Sequence, residues 1–99
     1  MRKPKSIHVS GRLWFEKVNG NTYHSAAVWA DGVFLGKIDF CYGYGSQYEE
    51  TALDILKNKI GRGRWLAGDL GRETLGAVCR RNGIALVSEV VHVQRKKDL

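Results

Sequence analysis

An Asp-Gly pair at residues 31 and 32 stands between two runs rich in strand-forming residues, Thr22–Ala30 and Val33–Tyr42. A two-residue connection needs backbone angles that glycine adopts freely and aspartate tolerates, so this dipeptide is a strong hairpin signal. Such a turn fixes register as well as direction, because Ala30 then pairs with Val33 and side chains alternate from there. Upstream, Ser6–Val18 alternates as well. Ile7, Val9, Leu13 and Phe15 point one way; His8, Ser10, Arg12, Trp14 and Glu16 point the other. Asn19-Gly20-Asn21 closes that run onto the second strand, giving a three-stranded meander.

The turns assign faces. Trp29 and Ala27 share one with Phe34, Gly36, Ile38 and Phe40, and a three-residue first loop adds Leu13 and Phe15. Arg12, Trp14, Glu16, His24, Val28, Leu35, Lys37 and Asp39 take the other. A two-residue first loop would swap the first strand, burying Trp14 and exposing Phe15. The three-residue reading unites the apolar set and makes the Trp29 side the expected core.

Ser46 to Ile60 reads as a helix. Ser46 and Glu49 match a capping box, Tyr48, Ala52, Leu53, Leu56 and Ile60 form an inward stripe, and Gly61 is a suitable stop. After "GRGRWLAGDLG", where Trp65 would anchor the loop, a second helix is expected from about Leu70 to Asn82. Asp69 is its cap candidate, Leu75, Val78 and Cys79 its apolar side, and Gly83 its end. Ile84–Val93 is rich in β-formers and reads as a fourth strand. The expected fold is α+β: an antiparallel sheet, three-stranded meander plus C-terminal strand, with two helices on one face, order β-β-β-α-α-β. Residues 1–99 make a single domain, with 1–5 and 94–99 expected as flexible basic tails.

Charge points to an anionic partner. Sixteen Lys and Arg against ten Asp and Glu leave a net charge of +6, and nucleic acid is the usual partner of a small basic domain. Arg62, Arg64, Arg80 and Arg81 are the candidate phosphate contacts, with Lys57, Lys59 and the C-terminal tail supplying longer-range attraction. No stretch approaches the ~18 apolar residues of a membrane span, and nothing resembles a secretory leader. Cys41 and Cys79 form no C-x-x-C pair, which fits a reducing cytoplasm and two small core residues better than a zinc or disulfide framework. His8, His24 and His92 stand in no metal-ligand spacing. On the chosen register His24 lies opposite Glu16 with Ser10 one position further on, an arrangement that usually means a surface His-Glu pair. No enzyme, metal or cofactor is expected.

"FCYGYGSQYEETA", residues 40–52, sets aromatics and glycines before the first helix. Glu49 and Glu50 in the first turn occupy the field a phosphate would need, so the glycines serve to bend the chain and not to cradle an anion. Tyr48 is expected to fold back on the sheet. Tyr42 and Tyr44 can stack bases or pack at the strand end, the second being commoner for tyrosine. Trp14, between Arg12 and His24, can be a stacking platform, a cover for the sheet, or a homodimer contact. Trp14 and Tyr44 are the stacking candidates. Stacking on an open sheet favours single strands, whereas a rim of arginines favours a DNA or RNA duplex.

The segment "YHSAAVWADGVFLGKIDFCYGYGSQYEETALDIL" resembles the second half of a double-stranded RNA-binding domain, with Asp31-Gly32, Gly36 and Ala52 in comparable places. The resemblance implies the strand order and the following helix. It does not carry that family's phosphate contacts, because Gln47, Glu49 and Glu50 stand where its basic helix start would be. "RLWFEKVNGNTYHSAAV", "YGYGSQYEETA" and "RKKDL" are similar to segments of small proteins of tailed phages and prophages. That likeness implies a bacterial cytoplasm during phage growth. It also opens a second function class, a phage protein that binds and blocks a host defence or transcription component.

Overall fold

The computed structural model describes residues 3–60 and 74–99. Its elements are β1 (Ser6–Glu16), β2 (Asn21–Ala30), β3 (Val33–Tyr42), α1 (Gln47–Ile60), α2 (Leu75–Asn82) and β4 (Ala85–Val93), followed by a 3-10 turn over Lys96–Asp98. The strands form one sheet in the order β3-β2-β1-β4. The meander is antiparallel as expected, but β4 pairs with β1 in parallel, so the sheet is mixed. The cause is the crossover. The chain between β3 and β4 returns to the end of the sheet where β3 begins, and β1 runs the same way as β3. Asp31 takes a positive φ of 49° at the β2–β3 turn. Its Oδ1 accepts from the amides of Lys5 (2.9 Å) and Ser6 (3.0 Å), which fixes the entry into β1.

The face assignment is overturned. Glu16 pairs with Asn21, so the β1–β2 loop has four residues, 17–20, and an even loop moves Leu13 and Phe15 to the side opposite Trp29. Strand β3 also carries two irregularities. Leu35 is an extra residue between the Val28–Gly36 and Trp29–Phe34 pairs, and both Asp39 and Phe40 oppose Ser25. Each bulge flips the alternation beyond it. Phe34 and Phe40 therefore stay with Trp29 and Ala27, while Gly36 and Ile38 move to the other side.

The helices cover the side carrying Ile7, Val9, Ala26 and Val28, all fully buried. Small residues explain the choice. A Cβ on Gly11 would come 2.4 Å from Tyr48 Cδ2, and one on Gly36 would come 3.1 Å from Ile55 Cγ2, so α1 lies close because both are glycine. Tyr48, Ala52, Leu53, Ile55 and Leu56 of α1 and Leu75, Val78 and Cys79 of α2 complete this core. Tyr48 does fold back on the sheet: its hydroxyl lies 2.9 Å from Ser88 Oγ, which donates to Glu49 Oε2 at 2.7 Å. Glu49 thus turns toward β4, where a capping box would have sent it to Ser46.

Helix α2 is capped by Thr74, whose Oγ1 accepts from the Ala77 amide at 3.1 Å; Asp69, Leu70 and Trp65 lie outside the described residues. Gly83, at φ 67°, ends it as expected. Among the described residues no helix is long and apolar enough to cross a membrane.

Candidate binding face on the open side of the sheet

Two aromatic clusters occupy the side of the sheet away from the helices. Near the β1–β2 loop, Trp14 stacks on Tyr23 at 5.8 Å, Tyr23 stacks on Phe40 at 4.6 Å, and Tyr42 meets Tyr23 edge-on at 5.7 Å. Near the Asp31-Gly32 turn, His8 stacks on Trp29 at 5.3 Å and Phe34 meets Trp29 edge-on at 5.5 Å. Cross-strand pairing builds both clusters, since Trp14 faces Tyr23 and Trp29 faces both His8 and Phe34. Phe34 is 56% exposed, Phe40 44% and Tyr42 68%, while Trp14, Tyr23 and Trp29 are half-buried. His8 Nε2 lies 3.1 Å from Glu89 Oε1 on β4.

Between the clusters the face is small and polar, yet Ser25 is only 1% exposed and Ala27 is buried. Residues 94–99, expected as a tail, cross here. Arg12 on β1 donates to the Asp98 carbonyl at 2.8 Å, and Lys37 on β3 donates to the Leu99 main-chain oxygen at 3.3 Å. Arg12 is the cross-strand partner of Ser25 and Lys37 that of Ala27, so the segment bridges β2 directly above both small residues. Leu99 is 9% exposed. The Lys96 ammonium sits 4.7 Å from the centroid of Phe40, within cation–π range. Arg95 pairs with Asp98 at 3.0 Å and Lys37 with Asp39 at 3.1 Å.

The structure does not gather the residues expected to act together. Trp14 is on the open face. Lys57 and Lys59 lie in the last turn of α1, and Arg80 and Arg81 on exposed positions of α2, all in the helix layer across the sheet from it. Arg62 and Arg64 lie outside the described residues. Tyr42 packs edge-on against Tyr23 at the end of β3, whereas Tyr44 is 71% exposed. It borders a cleft of about 450 Å³ walled by Leu13, Phe15, Thr22 and His92, at the loop end of the helix side.

His24 is not beside Glu16. Buried under α1, its Nδ1 donates to the Gly43 carbonyl at 3.1 Å, and in the neutral ring its Nε2 accepts from Thr51 Oγ1 at 2.7 Å. That bond anchors the bend at Gly43 (φ 144°) and Gly45 (φ 63°), which holds Tyr44 outward. The surface His-Glu pair belongs to His8 and Glu89 instead.

From the sequence, Trp29, Phe34 and Phe40 read as core, Arg12 as a cationic neighbour of Trp14 and Lys96 as part of a basic tail, while Tyr23 and Lys37 carry no assigned role. The signal for the rings is the aromatic at alternate positions of neighbouring strands, and it becomes readable once the bulges are known. Burial, first, and the Glu49 carboxylate, second, push the Cys79 thiol up to about 11. Among the described residues no three His, Cys, Asp or Glu side chains come together in a way that could hold a metal ion. No family model matches this chain, and neither a curated protein nor a solved structure matches it.

Proposed function

We propose that this protein binds single-stranded nucleic acid on the open face of its sheet, with little sequence specificity. The observation that carries the reading is the pair of cross-strand ring clusters, standing on a sheet face that neither α1 nor α2 covers. Tyr23 and Trp29 lie six positions apart on β2, about 20 Å at strand rise, a span suited to several stacked bases. Every base offers a π-face, so stacking on such platforms supplies about 1–3 kcal/mol per base without reading sequence. A rigid duplex hides those faces, which is why a single strand fits better. The net charge of +6 adds attraction for the backbone. The setting is the one the phage-protein resemblance implies, a bacterial cytoplasm during phage growth.

A second reading draws on Val87 and Val91, which stand exposed on the same side of β4 and offer apolar area that a base does not need. They suit a protein partner, such as a host defence or transcription component, docking through an aromatic centre. Salt separates the two, because phosphate neutralisation is released by ions and apolar contact is not.

The test is fluorescence anisotropy with labelled single-stranded DNA, duplex DNA and duplex RNA at two salt concentrations. Single strands should bind tightest and weaken as salt rises, and Trp14→Ala and Phe34→Ala should each cost about 1–3 kcal/mol of affinity. Absence of binding at low salt, or duplex binding untouched by either substitution, would overturn the reading.

A further inference from the structure

Two cations of the open face are already engaged with oxygen acceptors. Arg12 and Lys37 come from β1 and β3, flank β2, and converge on consecutive main-chain oxygens of residues 98 and 99. A chain running from one ring cluster to the other has to pass between them. Next to them, Lys96 covers one face of Phe40, a face that cannot hold an ammonium and a base together. The C-terminal segment thus fills the middle of the proposed track with the two features a strand would bring there, oxygen acceptors spaced along a backbone and a group laid on a ring.

We propose that Arg12 and Lys37 are the phosphate-holding pair of the open face, and that residues 95–99 occupy the pair as an internal stand-in which a single strand displaces. The proposal rests on the single-strand reading and names its anion contacts and its gate. Exchange favours the strand. The Asp98 carbonyl offers Arg12 only a dipole, whereas a phosphate brings a full negative charge and two oxygens that a guanidinium can hold together. The segment is held lightly, by those two bonds, the Lys96–Phe40 contact and one apolar anchor, Leu99. Its displacement uncovers Ser25 and Ala27 and frees Phe40. Arg95, Lys96 and Lys97 outnumber Asp98, so the released segment is drawn to the nucleic acid and not repelled from it.

The test uses Leu99→Ser, which removes the anchor and leaves every charge in place. If the segment closes the face about nine-tenths of the time, opening it should tighten single-strand binding by about tenfold. Acrylamide should quench the tryptophan fluorescence of the free variant more strongly, since Trp14 and Trp29 share the uncovered face. In that opened background, Arg12→Ala/Lys37→Ala should abolish the gain and lower the slope of log K against log salt by about 1.4, two phosphates' worth for a single strand. Arg80→Ala, in the helix layer, should leave affinity within twofold.

Unchanged or weaker binding by Leu99→Ser, with wild type still binding, would overturn the gate and leave the single-strand reading standing. An Arg12→Ala/Lys37→Ala chain that keeps both affinity and slope would overturn the phosphate pair. If neither wild type nor Leu99→Ser binds a single strand at low salt, both proposals fall together. Melting curves for each variant separate these outcomes from loss of fold.

Discussion

The two sides of this sheet carry similar amounts of apolar material and use it differently. On the helix side the strands present Gly11, Ala26, Val28 and Gly36, and α1 sinks until Tyr48 and Ile55 touch the backbone. On the open side they present Trp14, Tyr23, Trp29, Phe34 and Phe40, whose rings stand on the sheet and lean on each other. A helix reaches native packing density only where side chains are small enough to admit it. Bulk, more than apolarity, therefore decided which face became the core. The large rings were left outside, where they are available to a ligand.

Equivalent truncations on the two sides should separate stability from binding. Leu56→Ala removes a fully buried side chain from the helix core and should cost about 3 kcal/mol, read as a lower denaturation midpoint. Phe34→Ala removes a half-exposed ring from the open face and should cost under about 1 kcal/mol, while its binding loss persists. If the two cost the same stability, the open face is a second core and not a binding surface.

The same contrast explains what could be read from the sequence. Residues 31–32 specified a tight turn correctly, because the Asp-Gly angles are a local property. Tyr48 folded back as expected, because a first-turn aromatic on an amphipathic helix has one place to go. The faces were lost to two non-local facts. A loop of four residues in place of three inverts a whole strand, and the bulges at Leu35 and at Asp39–Phe40 hide inside an ordinary alternation. The parallel docking of β4 depends on where the crossover returns the chain, which no periodicity in 85–93 records. The grouping of Arg12 with Lys37 was visible in part, as a shared face. The segment laid across them was not, because "QRKKDL" has the composition of a tail.

A smaller effect tests whether the helix side is as tightly satisfied as it looks. Thr51→Val keeps the shape of the side chain and removes the hydroxyl that reaches His24 Nε2. The buried ring nitrogen is then left without that partner, which should cost about 1–2 kcal/mol of stability. Single-strand affinity should be unchanged, because His24 lies under α1 and not on the open face. A binding defect in Thr51→Val would show that the anchored bend at Gly43, and with it Tyr44, belongs to the binding surface.

The smallest effect comes from the two thiols, which sample the edge and the interior of the helix side. Cys41 is half-buried on β3, an edge strand, opposite His24, and Cys79 is buried on α2. Thiolate is the reactive form. With its thiol pushed up to about 11, Cys79 should be alkylated far more slowly than Cys41 at pH 8 until the protein is denatured. The sign of the pH effect follows from the same shift. The folded value lies above the ordinary 9.0, so the unfolded chain loses this proton first as pH rises. The stabilisation from the protonated thiol is complete below about 9 and is lost as pH climbs through about 11. The stability gap between wild type and Cys79→Ala should therefore narrow over that window. Equal labelling of both thiols at pH 8 would mean that α2 lifts from the sheet without global unfolding. The helix layer would then be as loosely held as the segment across the open face, and the contrast between the two sides would fail where it is now sharpest.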